Sequence, residues 1–353
     1  MATPAALGAR RQSVPFGREI TMTGHLVHYG SHPEVSVIVP AFNAAKTLRQ
    51  QLLALTDQID APSTEILVVD NGSTDSTVEV VHGFIQELNS GSRAGLRLVS
   101  APERTGASHA RNVGASLALA KKFAFCDSDD VVSQYWLRDI AEALDTVAVI
   151  SGAAIPIRDA DFVASDLLTL RRLMGDRPDR QNLEVKRGQI FPILMGGNFA
   201  VTREVYRRLG GFDESFPSAA EDNDLGIRAN ALLGYSAYST AMRIAYRTRT
   251  APSARRRLAY TTGRAHVQLC VRHGLIRSSE LVPAPQLTKV VLRTAAAFAR
   301  GVLRPRSADW PAIQERWALV AGLISGTLSY RVGLPEAVKL ASARPPQRSI
   351  GHD

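Results

Sequence analysis

Cysteine is nearly missing from the 353 residues, with Cys126 and Cys270 the whole supply. That excludes a disulfide-stapled secreted scaffold and a cysteine-based zinc site, and makes a reducing compartment the expectation. No secretory leader is visible: the first 30 residues carry Arg10, Arg11 and Arg18 but lack an apolar run of about 7–15 residues. Nor does any stretch reach the ~20 apolar residues that cross a bilayer. The longest late uncharged segment, Trp317–Tyr330, has 14 residues and includes two glycines, two serines and a threonine. It is expected as a core helix or as a segment lying flat on a membrane. Phosphate-binding signatures are absent too. There is no G-x-x-x-x-G-K-[ST] loop, and Pro40-Ala41-Phe42-Asn43 stands where a G-x-G-x-x-G would follow the first apolar run, which disfavours NAD-dependent chemistry.

What remains is ordinary globular composition, 45% hydrophobic and 21% charged, long enough to bury a substantial core as one large domain or two smaller ones. The net charge of +9 is unevenly placed. Residues 241–310 hold 14 Lys/Arg against Glu280 and Asp309, a net of +12, so the remainder is 28 against 31, or −3. A basic C-terminal region of this kind attracts polyanions.

Continuous β-branched runs at Val35–Val39 and Glu65–Val69 predict strands buried on both faces. Leu48, Leu52, Leu55 and Ile59 recur at helical spacing, and Ser73–Leu88 reads as a second helix. Leu96–Val99, Ala107–Ala120 and Lys122–Cys126 continue the alternation of strand, helix, strand, which predicts βαβ units and a mainly parallel sheet flanked by helices. The second half is less regular. It predicts a strand near Thr146–Ser151, a loop-rich stretch around 175–192, a helix near Thr202–Leu209, and Arg-rich helices from about residue 253.

Ligands of open parallel sheets sit beyond the carboxyl ends of the strands. Three strands here hand over to polar residues at that edge: Pro40–Asn43, Asp70-Asn71-Gly72-Ser73 and Asp127-Ser128-Asp129-Asp130. Asp70, Asp127 and Asp129 should converge on one crevice. Gathered carboxylates need a cation or donors to stay ionised, and hard oxygen ligands suit Mg²⁺ or Mn²⁺ shared with a diphosphate. Each piece has a plainer reading beside it. Asp-Asn-Gly-Ser alone is a turn, the acidic tetrapeptide a solvated loop, Arg111 and Asn112 surface residues, and Glu221-Asp222 a helix first turn. His109 and His266 are expected as surface or packing residues, and Cys126 as a small core hydrophobe.

Taken together, VSVIVPAFNAAKTL (35–48), EILVVDNGSTDST (65–77), GASHARNVG (106–114), FAFCDSDD (123–130), GGNFAVTREVYRRLGGFDE (196–214) and EDNDLGIRA (221–229) resemble the family 2 glycosyltransferases of the GT-A fold. The resemblance covers roughly residues 33–235. It implies a nucleotide pocket of Pro40, Ala41, Asn43, Asp70, Arg111 and Asp127, with Asp127 and Asp129 as a metal-binding DxD motif. It implies Gly196, Gly197, Asn198 and Glu221 around the donor sugar and acceptor, and Asp222 as catalytic base. With no Q-x-x-R-W-type motif after Asp222, single-sugar addition is expected. Arg247 and Arg249 occupy the stretch where some relatives place a histidine, and are expected at the pyrophosphate.

The implied organisation is an irregular tail (1–32), a nucleotide-sugar-binding half (33–135), an acceptor-binding and catalytic half (136–250) and a basic, mostly helical extension (251–353). The expected activity is metal-dependent, inverting transfer from a nucleotide-diphosphate sugar to a saccharide or lipid-linked acceptor. The setting would be cell-envelope or exported polysaccharide or glycolipid synthesis, in the cytoplasm or on the inner membrane face. Residues 243–306 are expected to meet an anionic membrane surface; no nucleic acid partner is expected. The alternatives are a nucleotidyltransferase-like enzyme, disfavoured by the lack of a glycine-rich basic loop after the first strand, and a catalytically silent nucleotide-sugar-binding adaptor.

Overall fold

The computed structural model describes residues 10–13, 19–25, 33–88, 94–176, 183–216, 219–248, 251–330 and 333. Its strands are β1 (Arg10–Ser13), β2 (Glu19–His25), β3 (Val35–Ala41), β4 (Thr64–Asp70), β5 (Ala94–Ser100), β6 (Lys122–Cys126), β7 (Val131–Val132), β8 (Val149–Arg158), β9 (Leu183–Lys186), β10 (Asn198–Thr202) and β11 (Ser236–Thr248). Its helices are α1 (Leu48–Thr56), α2 (Thr77–Glu87), α3 (Ala107–Leu117), α4 (Trp136–Leu144), α5 (Asp159–Ala164), α6 (Leu167–Leu173), α7 (Arg203–Leu209), α8 (Glu221–Leu233), α9 (Pro252–Arg272), α10 (Ala284–Leu303) and α11 (Trp310–Tyr330).

The strands form one sheet in the order β1-β2-β5-β4-β3-β6-β10-β8-β11-β7, with β9 branching from β11. Its centre, β5-β4-β3-β6, is parallel throughout, and most of the pairings outside it are antiparallel. Every residue of β3 and β4 is buried, as continuous apolar runs require. Alternate β3 side chains serve opposite faces: Val35, Val37 and Val39 join the core beneath α1, α2 and α4, while Ile38 joins that beneath α3, α7 and α8. This is the mixed α/β fold expected, with its parallel block where the sequence put it.

One polar network interrupts that apolar centre. The Ser36 hydroxyl donates to Glu65 Oε1 at 2.6 Å, Arg97 donates to Glu65 Oε2 at 2.8 Å, and the Leu119 and Ala120 N–H groups donate to Glu65 Oε1 and Ser36 Oγ. The network ties three strands to the turn between α3 and β6.

Some expectations need correction. The irregular tail contains β1 and β2, a hairpin whose second strand pairs with β5; an unpaired outer edge of β5 would leave a row of backbone groups without partners. The strand near 146–151 starts later and runs on to Arg158, because its far half pairs in parallel with β11. Part of the loop-rich stretch lies outside the described residues, and β9 occupies 183–186. Trp317–Tyr330 belongs to α11 and is a packing helix. Gly322 lies so close to α9 that a Cβ there would stand 2.1 Å from the Tyr260 carbonyl oxygen, and Val320 and Leu323 are buried. No helix among the described residues is long and apolar enough to cross a membrane.

Candidate active site

Parallel pairing of β4, β3 and β6 puts the ends of all three strands on one sheet edge. Asp70, Asp127 and Asp129 therefore share that edge. The Asp70 carboxylate accepts from the Gly72 and Ser73 N–H groups. Asn43, at φ +52°, accepts from the Thr74 N–H at 2.8 Å and donates its own N–H to Ser73 Oγ. These two residues fix the 70–75 loop, so the plain turn chemistry is real. Pro40 and Ala41 are set back from the loop tips. Both are buried within β3, and the Ala41 carbonyl accepts from the Asn71 N–H. The neighbour that faces outward is Phe42, 57% exposed, which the sequence reading did not single out.

Gln51 of α1 clamps the acidic loop at both ends. Its amide nitrogen donates to the Asp127 carbonyl and its amide oxygen accepts from the Val132 N–H, both at 3.1 Å. Arg111, buried in α3, joins that loop to the start of α8. It donates to Asp127 Oδ1 at 2.7 Å and to Glu221 Oε1 at 3.3 Å, over the Phe212 ring. Burial opposes its charge, but Asp127 and Glu221 outweigh that and hold its pKa above the ordinary value.

The carboxylates around this clamp are in excess. Asp130, absent from the expected site, is buried, with Oδ1 accepting from the Arg247 N–H at 3.0 Å and Oδ2 lacking a hydrogen-bond partner. Burial, then Asp127 and Asp129, push its pKa well up. Glu221 Oε2 is likewise buried and unpartnered, and burial with Asp222 nearby pushes Glu221 up to about 7. Asp222 accepts from the Gly196 N–H at 3.0 Å and the Asn223 N–H at 2.7 Å, and burial raises its pKa against those two bonds. The Arg247 guanidinium pairs with Asp159 and stands 3.9 Å from Asp129.

Gly197 leaves room for this chemistry, since a Cβ there would lie 2.6 Å from Asp127 Oδ2. Asn198 is different. It is fully buried, its amide donating to the Ala153 and Met242 carbonyls and accepting from the Trp136 indole. Both of its amide N–H bonds are used within the fold, and the side chain braces the floor from below. Arg249 lies outside the described residues.

A cleft of about 410 Å³ opens beside the clamp, lined by the β5–α3 loop from Pro102 and the first turn of α3 to His109, and by Glu214, Phe216 and Glu221. His109 is not the bystander expected. Its ring lies 3.1 Å from Glu214 and 3.5 Å from Glu103, and the Glu214 contact, against burial, raises its pKa. His266 packs as expected, against Ser279 and Cys270, and Cys126 is core.

The donor set fits a hard divalent cation. Asp127 and Asp129 are partly open to solvent, and the buried Asp130 oxygen beside them lacks a donor. Among the described residues, however, no three side chains of metal-binding type converge tightly enough to hold an ion alone. Such an ion would complete its shell with phosphate oxygens and water, as Mg²⁺ and Mn²⁺ do.

The family model described as Glycosyl transferase family 2 matches residues 36–210. The chain is 35% identical over 126 residues to "Glycosyltransferase AglE" of Haloferax volcanii, covering 35% of this chain and 38% of that one. It is 26% identical over 227 residues to "Chondroitin synthase" of Escherichia coli, covering 55% and 32%. It thus spans about a third of the length of these curated relatives. Among solved structures, a mannosyltransferase from Pyrobaculum calidifontis in complex with GDP-Man and Mn²⁺ shares the fold, with a TM-score of 0.56 and 22% identity over 85% of this chain and 89% of that one.

Proposed function

Because residues 36–210 place this chain in glycosyl transferase family 2, we propose that it transfers one sugar from a nucleotide-diphosphate sugar to an acceptor hydroxyl, inverting the anomeric centre. The observation that carries this reading is Arg111, which holds the acidic strand end at Asp127 against the Glu221-Asp222 start of α8. Donor-side and acceptor-side groups are thereby kept in one fixed relation, 33–135 supplying the first and 136–250 the second.

Asp222 is the base. Displacement at the anomeric carbon expels the nucleoside diphosphate on one face and draws the acceptor oxygen in on the other, so the acceptor proton must be taken up opposite the leaving group. The Gly196 and Asn223 N–H groups aim the Asp222 carboxylate, and its raised pKa makes it a stronger proton acceptor. The cleft walled by Glu221 receives the acceptor beside it. Phe42 offers an exposed ring on which the nucleobase stacks, next to Asp70 and Asn43. Asp129, with Asp127, would hold Mg²⁺ or Mn²⁺, which when bound neutralises charge on the departing diphosphate. The GDP-Man and Mn²⁺ bound by the Pyrobaculum protein support this donor class and a divalent ion. The relatives named for polysaccharide synthesis support a saccharide acceptor; we place the reaction in envelope or exported-polymer synthesis at the inner membrane face, with a lipid-linked saccharide as the other acceptor class.

The test is a thermal-shift screen of nucleotide sugars with and without Mn²⁺, followed by transfer assays. A bound donor raises apparent stability, and the expected result is stabilisation by one nucleotide sugar that depends on the metal. Undiminished transfer after thorough chelation would overturn the metal role. No stabilisation by any nucleotide sugar would overturn the donor class.

A further inference from the structure

The outer surface of the C-terminal helical layer separates its chemistry by angle. Leu292, Leu303, Val302 and Phe298 of α10 are 63%, 80%, 56% and 46% exposed. At 100° per residue, Leu292, Ala296, Ala299 and Leu303 fall within about 60° of one another, with Val302 and Phe298 continuing the strip to one side. Lys289, Arg293 and Arg300 fall on the other side, and Arg304 follows just past the end of the helix, all exposed. The opposite face, with Thr294 and Gly301 buried, packs on α11, where Phe298 also meets Trp310 edge-on at 5.7 Å between ring centres. Between Glu280 and Asp309 there is no acid at all. Among the described residues, none of these cations is held in an ion pair.

We propose that this face of α10 docks the protein onto an anionic lipid bilayer, the apolar strip entering the acyl boundary and the basic strip meeting lipid phosphates. A helix of 20 residues lying flat presents about 30 Å of contact. Charge complementarity chooses this occupant. A second copy seated on the same face would set two acid-free basic strips against each other. A nucleic acid would meet the cations but leave four large apolar side chains without a partner. The inference deepens the proposed reading and rests on it only for the lipid-linked acceptor. The apolar segment Trp317–Tyr330 packs on α9 through Gly322 and keeps Trp317, Ile324 and Leu328 exposed on its other side.

The experiment is co-sedimentation of the full chain with vesicles of phosphatidylcholine alone, or mixed in equal parts with phosphatidylglycerol. Wild type is expected to sediment with the mixed vesicles and much less with the neutral ones. Replacing Lys289, Arg293 and Arg300 together by Gln lowers the partition coefficient by roughly a hundredfold. Replacing Leu292, Phe298 and Leu303 by Ser lowers it at least tenfold. All six side chains are exposed, and circular dichroism and melting verify the fold of each variant. Equal binding to both vesicle types, no binding at all, or unaltered binding of the Ser variant overturns the proposal. So does a dimer in sedimentation velocity that the Ser variant abolishes while vesicles are ignored, which assigns the face to a second copy. Metal-dependent donor stabilisation, measured without vesicles on the same protein, fails only if the transferase reading fails.

Discussion

The acidic sheet edge and the basic helical layer handle charge in opposite ways. At the edge, charge is taken inside: Arg111 is buried between Asp127 and Glu221, and an oxygen each of Glu221 and Asp130 is buried with no donor. In the layer, the cations of α10 stand in solvent, and pairs such as Arg255 with Glu315 lie near the surface. Unpartnered buried carboxylates are costly. They persist where a proton, a cation or a substrate completes them, which is why we assign the chemistry to the edge. Exposed cations cost little and act only on what approaches the surface.

The contrast can be broken or sharpened at five places. Asp222→Asn is expected to lower transfer roughly 10³-fold while leaving metal-dependent donor binding intact; near-normal turnover would remove Asp222 as the base. Arg111→Ala strands two carboxylates at once and should destabilise the fold by roughly 3–5 kcal/mol in urea titration. Asp129→Asn should cut transfer by roughly a hundredfold and raise the Mn²⁺ concentration needed for half-maximal rate.

Glu221→Gln probes the same excess charge through pH. Glu221 sits at about 7 against an ordinary 4.5, so the folded chain holds its proton more tightly than the unfolded chain does. Its contribution is present below pH 4.5 and lost as pH rises through 7. Wild-type stability relative to the Gln variant should therefore fall by roughly 1–3 kcal/mol between those limits, read from melts across pH. Arg255→Ala, on the helical layer, should change stability by less than about 1 kcal/mol. A larger loss would show that the layer's surface charges matter as much as the buried ones.

The sequence was most legible where burial is complete. The runs at Val35–Val39 and Glu65–Val69 read as two-sided strands because every position is apolar or held in one network. β11 escaped notice because its inward positions include Ala237, Ser239 and Ala241, small residues that leave no hydrophobic alternation. Asp130 was missed because its burial follows from β7 pairing with β11, a contact made across more than a hundred residues. Nothing in the sequence pairs His109 with Glu214, because the carboxylate that faces it is equally distant in the chain. Asn198 matches a motif as a ligand contact, but only the packing of Trp136, β8 and β11 reveals that both its amide N–H bonds are taken up inside the fold.

The Ser36–Glu65–Arg97 network has a consequence for how the chain reaches this sheet. Neighbouring residues of a strand point to opposite faces, so sliding β4 by a single position would swing Glu65 away from Ser36 and Arg97 into the helix-covered apolar side. A bare ion there is penalised by several kcal/mol, whereas valine and isoleucine neighbours would accept the shifted alignment readily. One carboxylate thus proofreads the pairing of β3, β4 and β5, and the alignment it enforces is the one that brings the polar strand ends to a common rim.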